Sequence, residues 1–162
     1  MEEVELRRQI KTWIWFFMIT IILVGITTFP LELELKWIAT HKDVFPSFIS
    51  DWLMAVYTGV TETGNRFPFI MYGTDWLAFA HVIIGLLFIG PLKDPVKNKW
   101  VIEWGMICCV LVFPLAFIAG TIRGIPFFHR LVDCSFGIIG IIPLWIVRKK
   151  IDKLERITAS KK

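Results

Sequence analysis

Four long apolar stretches, nearly free of charge and separated by charged connections, constrain this chain more than any other feature of its sequence. They cover residues 12–29, 69–90, 101–122 and 131–147. The first, from Thr12 to Phe29, carries no charged residue and ends at Pro30. As a helix rising about 1.5 Å per residue it covers about 27 Å, close to the hydrocarbon thickness of a bilayer. A soluble core helix needs one apolar stripe, whereas a helix apolar all round needs lipid or a large protein interior. A chain of 162 residues has room for one domain and no such interior. The expectation is an all-α integral membrane four-helix bundle, with residues 1–162 as a single transmembrane domain. Pro114 and Pro143 fall inside the third and fourth stretches, where transmembrane helices tolerate them. The first stretch is long for a signal-peptide core and no small-x-small cleavage site follows, so it reads as an uncleaved anchor.

The eighteen Lys and Arg residues orient the spans. Arg7, Arg8 and Lys11 precede the first span, and Lys93, Lys97 and Lys99 join the second to the third. Arg148, Lys149, Lys150, Lys153, Arg156, Lys161 and Lys162 follow the fourth. The other side has Lys36, Lys42, Arg66, Arg123 and Arg130. By the positive-inside rule both termini are expected to be cytoplasmic, and the expected location is an inner (plasma) membrane. The net charge of +4 is then a matter of topology, and no nucleic-acid partner is expected. Trp13, Trp15, Trp37, Trp76, Trp100, Trp104 and Trp145 sit near span ends, where amphipathic rings prefer to lie.

In the first outer connection, Phe48, Ile49, Trp52, Leu53, Val56, Tyr57 and Val60 recur at helical spacing. They predict an additional amphipathic helix over about residues 47–60, N-capped by Ser47 and stopped at Gly59 or Gly64. Such a helix suits either the leaflet surface or a lid on the bundle. The LELEL run before it alternates and fits a short extended stretch. The carboxyl tail, IDKLERITASKK, reads as a short charged helix that frays. Cys108, Cys109 and Cys134 lack metal-ligand spacing and read as small buried hydrophobes, so no metal is expected. Glu103 is expected at the inner interface near Lys97 and Lys99, and His41 in solvent.

Small and polar residues share helix faces. Gly105, Cys109, Val112, Ala116, Ala119 and Arg123 form one stripe in the third span. Asp133, Gly137 and Gly140 form another, and Thr74, Ala78, His81 and Gly85 a third, with Asp75 one residue round. Small stripes mark close helix approach, and ionisable groups within spans face the interior or a cavity. The short connection RGIPFFHR brings Arg123, His129 and Arg130 beside Asp133, with Asn65 and Arg66 arriving at the same level. His129 and Asp133 are i, i+4, and Arg130 and Asp133 are i, i+3. The candidate ligand-binding residues are therefore Asn65, Arg66, Asp75, His81, Arg123, His129, Arg130 and Asp133. Against this stands a purely structural role, with an Arg–Asp pair stapling the loops.

The runs YGTDWLAFAH (72–81), GPLKDPVKNKW (90–100) and RGIPFFHRLVDCSFG (123–137) resemble those of small bacterial four-span inner-membrane proteins with no assigned activity. The resemblance covers about residues 65–145. It implies a bacterial four-span protein and supplies no cofactor or catalytic residue.

Three function classes follow. One is binding or handling of an amphipathic anionic ligand, a lipid headgroup or carboxylate, in an outward-facing polar pocket. A second is a lipid-modifying enzyme using His129 and Asp133 with Arg123 and Arg130. A third is a structural or accessory subunit, in a homo-oligomer or larger membrane complex. The expected partner is membrane lipid. No cofactor is expected; a b-type heme held by His81 and His129 is the alternative, although their depths match poorly.

Overall fold

The structure is a computed structural model and describes residues 2–160. It is helical throughout, with no strand among the described residues. The helices are α1 (Glu2–Thr28), α2 (Leu31–Thr40), α3 (Ser47–Arg66), α4 (Pro68–Leu87), α5 (Ile89–Lys93), α6 (Lys99–Pro114), α7 (Gly120–Ile122) and α8 (Phe127–Ala159). A π turn, Leu115–Ala119, makes α6 and α7 one continuous rod. Four helical segments are long and apolar enough to cross a membrane: Glu2–Thr28, Pro68–Lys93, Lys99–Ile122 and Phe127–Ala159. Many large apolar side chains face outward, among them Trp15, Leu23, Ile107, Leu111, Ile118 and Ile139.

The chain divides into two compact units. One joins the residues up to Thr20 to those from Gly85 onward, and the other is Ile21–Ile84. In the first unit, Ile10, Ile14, Phe88, Ile102, Leu144, Val147, Ile151 and Leu154 are fully buried. Leu144, Val147, Ile151 and Leu154 repeat at i, i+3, i+7 and i+10, the seam of a packed helix. The tail is therefore not a fraying appendage. Its charged residues are spaced so that Ile151 and Leu154 continue the buried face of the fourth apolar stretch. Lys153 pairs with Glu2 at 2.7 Å, and Lys150 donates to the Gln9 side chain at 2.5 Å. The start of α1 and the end of α8 thus meet at one end of this unit.

Within the same unit α6 and α8 approach closely through their small residues. A Cβ on Gly137 would stand 2.5 Å from the Cys109 carbonyl oxygen. One on Gly140 would stand 3.0 Å from Cys109 Sγ, and one on Gly105 3.0 Å from Leu144. Cys134 is buried, whereas Cys108 and Cys109 are half-buried.

In the second unit the LELEL run is helical, not extended. Leucines two apart also satisfy a helix, because Leu31, Leu35 and Ile38 share one face. Leu35 is buried there and Leu33 points away. Glu32 and Glu34 sit in the first turn, where the helix dipole favours acids. Helix α3 runs past Gly59 to Arg66, two residues beyond Gly64, the later of the two expected stops. A glycine costs a helix only about 1 kcal/mol, but the residue before a proline is driven out of helical geometry. Phe67, before Pro68, is that residue, at φ −138° and ψ 66°. Pro46, not Ser47, occupies the N-cap position. The small stripe on α4 packs on α1: a Cβ on Gly25 would stand 2.7 Å from the Ala78 carbonyl oxygen and 2.9 Å from His81 Cβ.

Candidate functional site

The connection between α7 and α8 shapes the far end of the first unit, away from the chain ends. Gly124 has φ +67°, the left-handed geometry that favours glycine. The Ile125 N–H donates to the Gly120 carbonyl at 2.9 Å and the Gly124 N–H to the Thr121 carbonyl at 3.1 Å. This pairing is a Schellman cap, followed by Pro126, which cannot continue the helix. Arg123 is the cap residue and exposed. Helix α8 begins at Phe127, so His129 and Asp133 lie on the same helix face.

The two arginines of this connection have different surroundings. Arg130 folds its stem over Gly120, where a Cβ would stand 2.7 Å from Arg130 Cδ. Its guanidinium donates to Thr121 Oγ1 at 2.6 Å and lies 5.4 Å from the Phe127 ring centre. Its Nε is buried without a hydrogen-bond partner. Arg130 therefore clasps α7 to α8, and it does so through Thr121, not through Asp133. Arg123 makes no ion pair or side-chain hydrogen bond among the described residues. It lines a cavity of about 260 Å³ with Val112, Leu115, Ala116, Ala119, Gly120, Ile125 and Asp133. Asp133 Oδ1 stands 3.8 Å from His129 Nε2, beyond hydrogen-bond range and within ion-pair range if the ring is protonated.

Pro114 contributes to this cavity. It has no N–H to return to the carbonyl one turn earlier, and directly after it the helix widens into the π turn. Three lining residues, Leu115, Ala116 and Ala119, belong to that turn. Such widened turns recur at functional sites.

The other four candidates belong to the second unit. Asn65 and Arg66 are exposed in the last turn of α3, and the Arg66 guanidinium lies 5.3 Å from the Phe67 ring centre. Asp75 and His81 are half-buried on α4. The His81 Nδ1–H donates to the Leu77 carbonyl at 2.8 Å in the tautomer that satisfies this contact. Asp75 and His81 form no ion pair with each other, as their i, i+6 spacing requires.

A second polar cluster, of which the sequence indicated only Glu103 near Lys97 and Lys99, lies at the chain-terminal end of the first unit. Arg148 pairs with Glu103 at 2.6 Å and with Asp152, while Lys99 reaches both Asp152 and Glu155 at 2.7 Å. Helix α8, at about 1.5 Å per residue, is far longer than a bilayer's hydrocarbon layer of about 30 Å. Asp152 and Lys99 stand beyond the apolar stretches. The Lys99 hydrogen bond, with help from Arg148, holds the Asp152 carboxyl below the usual carboxylate range. Asp152 and then Glu155 raise the Lys99 ammonium. Part of the signal was present as the i, i+4 spacing of Arg148 with Asp152; the pairs across helices, Arg148 with Glu103 and Lys99 with Asp152 and Glu155, have no such spacing. A cavity of about 440 Å³ beside this cluster is lined by Arg7, Asp94, Lys97 and Glu155, among others. Its acids and Arg7 are already engaged: Arg7 with Glu3, Glu155 with Lys99, and Asp94 with the Lys97 N–H. The far-end cavity, with Arg123 uncommitted, is the stronger candidate. Among the described residues no three His, Cys, Asp or Glu side chains gather to hold a metal ion.

Comparison with protein-family models, curated proteins and solved structures gives no match to this chain.

Proposed function

We propose that this is a multi-pass protein of a bacterial inner membrane that binds an amphipathic anionic ligand in the far-end cavity. Both termini are cytoplasmic in this reading, which rests on the thirteen-to-five division of basic residues and on the pairing of Glu2 with Lys153. The observation that carries the reading is Arg123. It is a guanidinium at the mouth of a cavity whose other walls, apart from Asp133, are apolar. Arginine presents a planar fork of donors suited to phosphate or carboxylate. The cavity lies just below the 300–1,000 Å³ of common ligand pockets, so it suits a headgroup and a few methylenes, not a whole lipid.

Arg123→Ala tests this. Its side chain makes no ion pair or hydrogen bond among the described residues, so the variant is expected to lie within about 0.5 kcal/mol of wild type in stability. Mass spectrometry of the purified protein is expected to show loss of a co-purifying anionic amphipath. A lower melting point with the bound material unchanged would instead make Arg123 a structural clasp.

A second reading has one observation in its favour. Asp133 lines the cavity and faces His129, which would give a base and its orienting group for a lipid-modifying reaction. In that case His129→Gln abolishes turnover and leaves lipid binding intact.

A further inference from the structure

We propose that the ligand is zwitterionic: an anionic group joined by a short linker to a primary ammonium, carried on an apolar tail. This rests on the far-end cavity being the binding site and narrows what it binds. The cavity wall holds one cation, Arg123, and one anion, Asp133. Taken as a sphere, a cavity of about 260 Å³ is about 8 Å across, no more than the Debye length at physiological ionic strength. A bare anion on Arg123 would therefore be only partly screened from the Asp133 carboxylate. A ligand carrying both signs removes that repulsion and uses both groups.

The donor and acceptor chemistry narrows it further. An ionised carboxylate only accepts hydrogen bonds, through two oxygens with about four lone-pair sites. The 3.8 Å contact to His129 leaves most of that capacity unused. A primary ammonium brings three N–H donors. A quaternary ammonium brings none and is held instead by aromatic cages, and no aromatic residue lines this cavity. Ethanolamine-type chemistry fits, and choline-type chemistry does not. Val112, Leu115 and Ile125 supply apolar walls for the first carbons of a tail. The same headgroup chemistry could come from a membrane aminophospholipid or from a soluble aminophosphate.

The test uses the full chain in nanodiscs of phosphatidylcholine containing either phosphatidylethanolamine or phosphatidylglycerol, with bound lipid read by native mass spectrometry. Wild type is expected to retain phosphatidylethanolamine over both other lipids by about tenfold, the worth of one charge-assisted hydrogen bond. Asp133→Asn, nearly isosteric, is expected to cancel that preference and bring phosphatidylglycerol level. Asp133→Glu keeps the preference, and Arg123→Gln weakens retention of both lipids. Competition by soluble glycerophosphoethanolamine would assign the headgroup alone as the ligand, and its failure to compete would assign the lipid. A wild type that prefers phosphatidylglycerol, with Asp133→Asn making no difference, overturns the zwitterion and leaves the anionic reading standing. Unchanged retention of both lipids by Arg123→Gln overturns both.

Discussion

Replacing Gly137 by alanine sets two effects of known sign against each other. Alanine is favoured over glycine in a helix by about 1 kcal/mol, so the substitution gains wherever there is space. At Gly137 there is none. The new Cβ would stand 2.5 Å from the backbone carbonyl oxygen of Cys109, which no side-chain rotation can move. To reach ordinary contact α6 and α8 must part by nearly 1 Å. A gap of that size forfeits a quarter to a half of the dispersion energy of every pair it opens, and overpacking of this kind costs about 1–3 kcal/mol. After the propensity gain the net expectation is a loss of up to about 2 kcal/mol, and a deficit of about 1–3 kcal/mol relative to a glycine-to-alanine change made where there is space. Gly59 is the control. Nothing lies within 4 Å of its virtual Cβ, so Gly59→Ala is expected to gain about 0.5–1 kcal/mol. Gly140→Ala falls between, because its neighbour at 3.0 Å is the Cys109 sulfur, a side-chain atom that can turn aside. Unfolding in mixed micelles of rising dodecyl sulfate fraction measures all three. If Gly137→Ala is as stable relative to wild type as Gly59→Ala is, the close-approach argument for α6 and α8 is wrong.

Leu154→Ala is expected to cost about 2–5 kcal/mol in the same assay, because a fully buried leucine leaves a cavity; a frayed tail would lose almost nothing. The ion-pair cluster predicts a pH profile. Asp152, with its folded value depressed, contributes stability above the ordinary carboxylate range that is lost as pH falls through the lower folded value; Lys99, raised, contributes stability that is lost only above the ordinary lysine range. The difference in melting temperature between wild type and Asp152→Asn is therefore expected to stay flat from about pH 5 to 9 and to shrink on acidification below about pH 4. A fluorescent reporter fused after the last residue is expected to light up in the cytoplasm, and a periplasm-dependent phosphatase at the same place to stay inactive. Purified protein is expected to show no Soret band; a band lost in both His81→Ala and His129→Ala would assign a heme.

The four helices long and apolar enough to cross a membrane were legible as unbroken apolar runs, and the periodicity of α3 because one face of that helix is half-buried while the other is exposed. The small-residue stripes were legible for a related reason: glycine and alanine at helical spacing in an apolar rod leave room for another backbone, and Gly137 and Gly140 meet Cys109 as that logic requires. Other features depend on which of two periods the fold adopts. Leu31, Leu33 and Leu35 alternate as a strand would, yet Leu31 and Leu35 also share a helix face, and packing against α3 decides between them. The carboxyl tail misled because its charges outnumber its apolar residues, although Ile151 and Leu154 keep the phase of Leu144 and Val147. At the candidate site, helical spacing brought His129 near Asp133 but could not say which arginine would be spent within the fold. That depends on Gly120 giving way to the Arg130 stem and on Thr121 accepting its guanidinium, contacts across a turn that no periodicity encodes.

The cavity itself has a traceable cause in Pro114. A straight α-helix would present Val112, Ala116, Ala119 and Arg123 as one narrow stripe, as their spacing indicates. The π turn after the proline bonds i to i+5 and carries more residues around one turn, so the inward face widens. Leu115 and Gly120, each one residue round from the stripe, join the wall. The widened face then ends in a glycine cap that halts the rod at Arg123 and turns the chain into α8 within three residues. A residue that removes one backbone donor thus opens an apolar hollow, and a residue that permits a left-handed turn closes the loop over it. Between them, Arg123 is left at the mouth without an acceptor among the described residues, while Arg130, seven residues on, takes the structural role. The division of labour between the two arginines follows from the backbone, not from their own chemistry, which is the same.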